Sequence, residues 1–315
     1  MTTQQLVDRY LKYRHSLGGK FRTHGIVLKA FSKFIGELHA AESITTEQCK
    51  TFLYHNQNPI TNTWFCRYSA LNGMFNWAVS RMILTYNPLP TEKPNRVPYC
   101  KPHIYSMEEL SAMFKACWTY QKGFSKNYPE CTRMILMLSY MMGLRLHEAM
   151  DLRFSDINLQ EGTVYIRESK FFKSRLLPIN FQVVDLLKRF IDWRISLGFE
   201  IDGETYLFIT CYNTHMISHS FEHYFLKILD EAKITRSDGF SRHPRIHDLR
   251  HTFAVHRLLS WYKTGENVQV LLPYLSTYLG HKDLNMTTVY LSLWRLLVDL
   301  FLKSQREMLL SAESV

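Results

Sequence analysis

The stretch "YLSTYLGHKDLNMTTVYL", residues 274–291, places His281 nine positions before Tyr290 and directly after Gly280. On one continuous helix, nine residues at about 100° each would turn these two side chains to opposite faces. Gly280 is suited to the left-handed conformation that ends a helix, and a second helix can begin at one of two capping residues, Asp283 or Asn285. The stretch therefore predicts two helices joined by a short turn, with His281 and Tyr290 able to face one point.

The whole chain has the composition of a folded, water-soluble protein. It contains 315 residues, of which 46% are hydrophobic and 14% aromatic, and this length suffices for two domains with separate cores. No run of about 18 apolar residues occurs, and the N-terminus "MTTQQLVDRYLKYRH" has charges where a signal peptide needs an apolar stretch. We therefore expect a cytoplasmic protein with no membrane partner.

The residues that usually bind metals are dispersed along the chain. The six cysteines form no CxxC or other close pair, so neither a zinc site nor a disulfide framework is predicted. The chain also has no carboxylate cluster of the kind that holds Mg²⁺. We expect no metal and no cofactor, and we expect the cysteines to behave as small buried hydrophobic residues: Cys49, Cys66, Cys100, Cys117, Cys131 and Cys211.

The positive charge is concentrated in the first third of the chain. Residues 1–103 contain 13 Lys or Arg and 5 Asp or Glu, whereas residues 104–315 contain 25 and 23. This asymmetry suits a module that lies along a polyanion such as nucleic acid. A basic domain without such a partner would show the same charge, so charge alone leaves both interpretations open.

A proline-rich segment divides the chain. Residues 87–103, "NPLPTEKPNRVPYCKPH", contain five of the ten prolines and predict an extended linker. Apolar residues recur at helical spacing over 1–86, which predicts an all-α domain of about four helices. Three aromatic residues there resemble base-stacking groups but are more typical of a core at this spacing: Trp64, Phe65 and Trp77.

The region after the linker, 104–315, predicts a second domain that is mainly α with a small antiparallel sheet. Residues 163–179, "TVYIRESKFFKSRLLPI", read as two strands around a turn, and "TYLFI" suggests another short strand. Helices are predicted from the apolar periodicity at 107–117 with Ser106 as the cap, over "CTRMILMLSYMM", and at 181–195, about 217–233, 247–261 and about 269–279. An apolar stripe in 292–315 predicts a final helix.

Besides His281 and Tyr290, polar residues suited to chemistry occur at three further places, and each of these also has a structural interpretation. Arg145 follows a glycine near the end of a helix, where a cation stabilises the helix dipole. Lysines at a hairpin tip, Lys170 and Lys173, are ordinarily solvated. His247 and Arg250 project from one face of a helix, although a histidine there can also face the core.

Together these residues suit attack on a phosphodiester. Guanidiniums neutralise charge on phosphorus oxygens, and without a metal they would stabilise the transition state. The phenol of Tyr290 would be the nucleophile. Its reference pKa of about 10 means that a base must take its proton, and a departing sugar alkoxide needs a proton from an acid. Histidine and lysine are suited to these two transfers.

The order and spacing of these residues resemble the tyrosine recombinases, the phage integrase family. "GLRLHEA" is similar to the family's first-arginine box, "SKFFKSRLLPI" to its hairpin lysine, "HDLRHTFAVH" to its H-x-x-R box and "YLGH" to its histidine, with Tyr290 nine residues later. More weakly, "NTWFCRYSALNGMFNWAVSRMILTYNP" is similar to the end of the family's core-binding domain. The resemblance covers nearly the whole chain and implies a two-domain clamp around duplex DNA, with 1–86 as the DNA-binding domain and 104–315 as the catalytic domain.

The resemblance also implies a role for each residue. Arg145 and Arg250 would hold the scissile phosphate with help from His281. Lys170 would protonate the leaving 5′ oxygen, and His247 would accept or relay the proton of the tyrosine. Tyr290 would become linked to the DNA 3′ phosphate, without ATP or metal.

The family further implies a homotetramer on paired recombination sites, with the C-terminal helix docked on a neighbouring protomer. The choice of Lys170 over Lys173 depends on counting back from "RLLPI". The stretch between Arg250 and His281 is longer than in compact members, as in recombinases carried on mobile elements, so integration or excision of such an element is expected.

Three other functions are compatible with parts of the pattern. A type IB topoisomerase would use nearly the same residues to relax supercoils. A non-catalytic DNA-binding regulator would have the same charge but no reason to retain six reactive side chains in order. A metal-dependent nuclease would be sensitive to EDTA.

Overall fold

The computed structural model divides the chain into two compact units, Met1–Tyr99 and Cys100–Val315. It describes residues 1–19, 21–96, 100–120, 126–169, 173–236, 238, 243–281 and 290, with the backbone alone at 168, 169 and 173. Within these ranges, no helix is long and apolar enough to cross a membrane.

Four helices with a shared apolar core form the first unit. They are α1 (Thr3–Ser16), α2 (Arg22–Ile35), α3 (Thr46–Tyr54) and α4 (Asn62–Ser80), with a 3₁₀ turn at Ala41–Ser43. Thr2 and Thr45 cap α1 and α3 through reciprocal bonds with a glutamine three residues on. The core interpretation of the aromatic residues is confirmed for Trp64, which is fully buried, while Trp77 stacks on Tyr13.

The second unit has seven helices and three short strands within the described ranges. The helices are α5 (Met107–Ala116), α6 (Pro129–Met141), α7 (Leu146–Met150), α8 (Phe181–Ser196), α9 (Ser218–Glu231), α10 (Ile246–Lys263) and α11 (Val268–Leu279). The strands are β1 (Ile157–Asn158), β2 (Thr163–Ser169) and β3 (Lys173–Pro178). The predicted fold class, mainly α with a small antiparallel sheet, is confirmed.

The sheet has the order β1-β2-β3, and both pairings are antiparallel. Val164 of β2 lies opposite Leu177 of β3, and both are buried. The strand suggested at "TYLFI" is wrong, because that segment makes isolated bridges instead of a ladder. Its Leu207 and Phe208 are fully buried in the core, so their apolar character reflects packing and not strand pairing.

Two apolar clusters support the second unit. The larger one joins α5, α6, α8, α9 and the sheet, and a smaller one joins α10 and α11 around Phe253 and Leu279. Three of the six cysteines are buried, as expected, namely Cys49, Cys117 and Cys131, whereas Cys66, Cys100 and Cys211 are partly exposed. The packing brings the end of α6, the start of α7, the first half of α10 and the end of α11 together.

Candidate active site

Arg145 lies at the first turn of α7, after a sharp bend in the chain. Gly143 makes this bend with φ +61°, and a β-carbon there would lie 2.5 Å from Phe253 Cδ1. Glycine is therefore required by both the backbone conformation and the space. Arg145 is the N-cap residue of α7, and its guanidinium bonds a carbonyl at the end of α11, not at the end of the preceding helix α6.

Glu148, three residues after Arg145, is the anion that organises the site. Its carboxylate accepts hydrogen bonds from Arg145 Nη1 at 2.6 Å and from Arg175 Nη1 and Nη2 at 3.1 and 2.8 Å. Arg250 Nη1 lies 3.9 Å from the same carboxylate. One buried carboxylate thus faces three guanidiniums, which leaves an excess of positive charge for an anionic ligand.

Arg250 connects two chain segments from a buried position in α10. Its Nη1 donates to the Gly143 carbonyl at 2.7 Å, and its Nη2 donates to the Leu279 carbonyl. Burial, together with the nearby charge of Arg145, lowers the pKa of Arg250 to about 10. The group is still a cation at neutral pH, and its position is set by backbone groups at the ends of α6 and α11.

The end of α11 is held by the same arginines. Gly280 has the left-handed conformation, with φ 66° and ψ 46°, which confirms it as the helix terminator. Arg175 Nε donates to the Tyr278 carbonyl at 3.1 Å, and Arg145 Nη2 donates to the Gly280 carbonyl at 3.4 Å. These cations satisfy carbonyls that the helix leaves unpaired, and they fix the position of His281, the next residue.

Two predicted histidines border the guanidinium cluster. Desolvation by the surrounding protein, together with the charges of Arg250 and Arg145, lowers the pKa of His247 to about 4, although the residue is exposed at the surface. Burial and the same two charges lower the pKa of His281 to about 4. Both rings are therefore neutral at pH 7 and able to accept a proton.

Tyr290 is buried, with 2% of its surface exposed, and it packs in the cluster of α10 and α11. Its ring centroid lies 5.9 Å from that of His281, with nearly parallel planes, and 5.4 Å from that of His251. The structure thus brings His281 and Tyr290 together. The proposed caps Asp283 and Asn285 lie outside the described residues.

The structure brings together five of the six predicted residues: Arg145, His247, Arg250, His281 and Tyr290. Lys170 lies outside the described residues, and only the backbone is described for Lys173. The lysine of the hairpin therefore stays a prediction. Sequence reasoning missed Glu148 and Arg175, although the Arg-x-x-Glu spacing places Glu148 on the same face of α7 as Arg145.

Glu148 should make the stability of the protein depend on acid pH. Burial alone would raise the pKa of this carboxyl, but hydrogen bonds from Arg175 and the charges of Arg175 and Arg145 outweigh it and lower the pKa from 4.5 to about 2. Because the folded-state pKa is depressed, the stabilisation is complete above about pH 4.5 and is lost as pH falls toward 2. We expect Glu148 to contribute about 3 kcal/mol to this loss.

Urea unfolding of the protein and of Glu148→Gln across pH 2–6 measures this contribution. At pH 6 the variant should be less stable by about 3–5 kcal/mol, because three arginines lose their buried counterion. Its stability should also fall less steeply below pH 4.5 than that of the unsubstituted chain. Glu161→Gln, at an exposed carboxylate, gives the baseline. If the stability of the unsubstituted chain and that of Glu148→Gln fell equally steeply below pH 4.5, the low pKa of Glu148 would be contradicted.

The chain is similar to known proteins over most of its length. The profile of the phage integrase family matches residues 106–294. A putative integrase/recombinase, y4rB of Sinorhizobium fredii (strain NBRC 101917 / NGR234), is 27% identical over 293 residues, which span 92% of this chain and 93% of that protein. The tyrosine recombinase XerC of Escherichia coli O6:K15:H31 is 29% identical over 228 residues, 71% of this chain and 67% of XerC.

Solved structures share the fold at lower identity. A lambda integrase tetramer bound to a Holliday junction is 19% identical, with a TM-score of 0.65, over 92% of this chain and 77% of that one. The Tn1549 transposon integrase in complex with a circular intermediate DNA is 16% identical, also with a TM-score of 0.65, over 92% of this chain and 94% of that one. Both likenesses are evidence for the fold of this chain.

Proposed function

The chain belongs to the phage integrase family, and from this premise we propose how its residues perform site-specific recombination of DNA. It is a tyrosine recombinase, an enzyme that transfers DNA strands. Tyr290 attacks the scissile phosphate, the P–O5′ bond breaks, and the enzyme remains linked to the DNA 3′ phosphate. The 5′ hydroxyl of a partner strand then attacks the phosphotyrosine and releases the enzyme, so the reaction needs no ATP.

The guanidinium cluster around Glu148 carries this proposal. Arg145 and Arg250 neutralise the non-bridging oxygens of the phosphate as negative charge develops there, and His281 assists them. A phosphate is a fitting ligand because the cluster has more cations than Glu148 can neutralise. Since the arginines are already positioned by Glu148 and by backbone carbonyls, little reorganisation is needed when DNA binds.

Proton transfers complete the cycle. His247 accepts or relays the phenolic proton of Tyr290, and its low pKa supports this role because the ring is neutral before the attack. Lys170 of the β2–β3 hairpin protonates the leaving 5′ oxygen, with Lys173 as the alternative. The proton that leaves Tyr290 goes to His247, and the proton that reaches O5′ comes from the lysine, so the two transfers involve different protons.

The DNA partner is a duplex recombination site, and the product is integration or excision of a mobile element. The two halves of the chain would close around the duplex, with the basic residues of 1–86 on the phosphates. Relatives named as an integrase/recombinase and a transposon integrase support the mobile-element role. In the cell, we expect the enzyme in the cytoplasm, on the nucleoid if the host is bacterial.

Four protomers would assemble on two paired sites, linked by their C-terminal tails. The tail residues that form the apolar stripe lie outside the described part of the chain: Leu293, Leu297, Leu300, Phe301 and Met308. An apolar cavity of about 410 Å³ between the ends of α6, α10 and α11 offers an acceptor on the neighbouring protomer, lined by residues such as Trp261, Leu275 and Tyr278. Such a contact would bury the stripe.

A strand-exchange assay tests the function. Sites selected from random duplex DNA by the purified protein would be placed in pairs on a supercoiled plasmid and incubated with the enzyme in EDTA without ATP. We expect recombinant products, and we expect a chain that lacks 292–315 to cleave single sites but to give no recombinants. This separates cleavage from assembly.

Each other outcome of this assay favours a different function. Relaxation of the plasmid without exchange would indicate a type IB topoisomerase activity. Cleavage that EDTA abolishes would indicate a metal-dependent nuclease, and binding without cleavage would indicate a regulator. Full recombination by the shortened chain would overturn the role of the tail.

A further inference from the structure

One histidine near Tyr290 has no role in the mechanism above. His251 lies on α10 one residue after Arg250, and its ring contacts both His247 and Tyr290. The centroids of His247 and His251 are 4.8 Å apart with nearly perpendicular planes, and those of His251 and Tyr290 are 5.4 Å apart. His251 therefore touches the nucleophile on one side and the proposed proton acceptor on the other.

The polar atoms of His251 are unusually placed. Its Nδ1 is buried and has no hydrogen-bond partner within the described residues. A buried ring nitrogen without a partner is destabilising, so its presence points to a use at some stage of function. The only titratable side chain from another segment in a described ring contact with His251 is the phenol of Tyr290.

His251 is also in the protonation state that a proton acceptor needs. Burial, followed by the neighbouring His247, lowers its pKa to about 3, and Arg245 and Arg250 act in the same direction against Asp248. The ring is neutral at pH 7, with one nitrogen able to accept a proton and the other able to donate one. Its neighbour His247 is open to solvent, which gives the proton a route out.

We propose that His251 is the first acceptor of the phenolic proton of Tyr290 and that it passes a proton on to His247. As the Oη–P bond forms, the Oη–H bond breaks and its proton moves to one ring nitrogen of His251. The proton on the other ring nitrogen moves to His247 and from there to water. The leaving O5′ takes its own proton from the lysine of the hairpin. This inference rests on Tyr290 being the nucleophile.

The experiment compares the unsubstituted chain, His251→Phe and the matched variant His256→Phe in single-turnover cleavage of a nicked selected site. His256 is a half-buried histidine on the same helix that bonds Tyr140 instead. Phenylalanine keeps the ring packing and removes the nitrogens. A parallel substrate has sulfur in place of the bridging 5′ oxygen, because a thiolate leaves without a proton.

We expect His251→Phe to form the covalent adduct at least about 10²-fold more slowly at pH 7, as for loss of a general base. The slower adduct formation should persist with the sulfur substrate, because the sulfur removes only the need for the general acid. The difference in rate should also shrink as pH rises toward about 9.5, where more of the phenol ionises without help. His256→Phe should stay within about 2-fold of the unsubstituted chain.

Three results would overturn the proposal. Adduct formation by His251→Phe at the normal rate would show that the nitrogens are unused. If adduct formation by His251→Phe were slower by the same factor at every pH, the ring would have only a packing role. If the variant reached the normal rate with the sulfur substrate, His251 would act on the leaving group. Mapping the adduct of the unsubstituted chain by peptide mass tests the nucleophile separately, since a link to a residue other than Tyr290 would refute the proposed function itself.

Discussion

Replacement of Tyr290 by phenylalanine should abolish the covalent protein–DNA adduct while leaving DNA binding unchanged. The phenol oxygen is the only atom removed, so the packing of the ring against His281 and His251 is retained. Loss of a nucleophile leaves only the catalysis provided by the remaining groups, and we expect cleavage to fall by at least about 10⁴-fold. Denaturing gel electrophoresis of a nicked selected site measures the adduct directly.

Tyr140→Phe is the matched control for this substitution. It also removes one phenol oxygen from a partly buried ring of the same unit, where the hydroxyl lies 3.1 Å from His256 Nδ1. The lost hydrogen bond should cost about 1 kcal/mol of stability and should not affect cleavage. If Tyr290→Phe formed adduct at a normal rate, Tyr290 would have no part in the chemistry.

Arg145→Ala should lower the cleavage rate by at least about 10²-fold, the effect expected when a preorganised charge is removed from the transition state. Its side chain is partly exposed and bonds Glu148, which would remain paired with Arg175. The fold should therefore survive the substitution. Arg250 is a less clean target, because it is buried and holds the carbonyls of Gly143 and Leu279.

The measurement for Arg145 is single-turnover cleavage at saturating protein, with DNA affinity determined separately. Arg189→Ala is the control, since it also removes a guanidinium paired with a carboxylate, here Asp185 on the exposed face of α8. Arg145→Lys should recover only part of the rate, because lysine keeps the charge but not the two-pronged geometry. Cleavage by Arg145→Ala within about 3-fold of normal would exclude Arg145 from the site.

The sequence predicted most elements of the fold because local rules determine them. Apolar spacing identified the helices of both units except α7, which has only five residues, and Gly280 ended α11 as expected from its conformational freedom. The errors arose where packing replaced local pairing. The apolar segment around Phe208 fills the core without forming a strand. Strand β1, which is only two residues long, was also not predicted from the sequence.

The ion-pair network around Glu148 was not visible in the sequence. Glu148 and Arg175 are 27 positions apart, and their contact depends on how α7 packs against β3. The contacts of Arg250 with Gly143 and Leu279 span 107 and 29 positions. Such pairs have no periodic signal, because the spacing between them is set by the intervening loops.

By itself, the sequence determined which reactive groups this protein has and their order along the chain, because side-chain identity and local spacing are properties of the sequence. Only the tertiary structure decided their ionisation and position. His247, His251 and His281 are neutral because folding partly desolvates them and places them beside fixed cations, and a pKa depends on surroundings that come from distant segments. Folding likewise brings the ring of Tyr290 against those of His251 and His281.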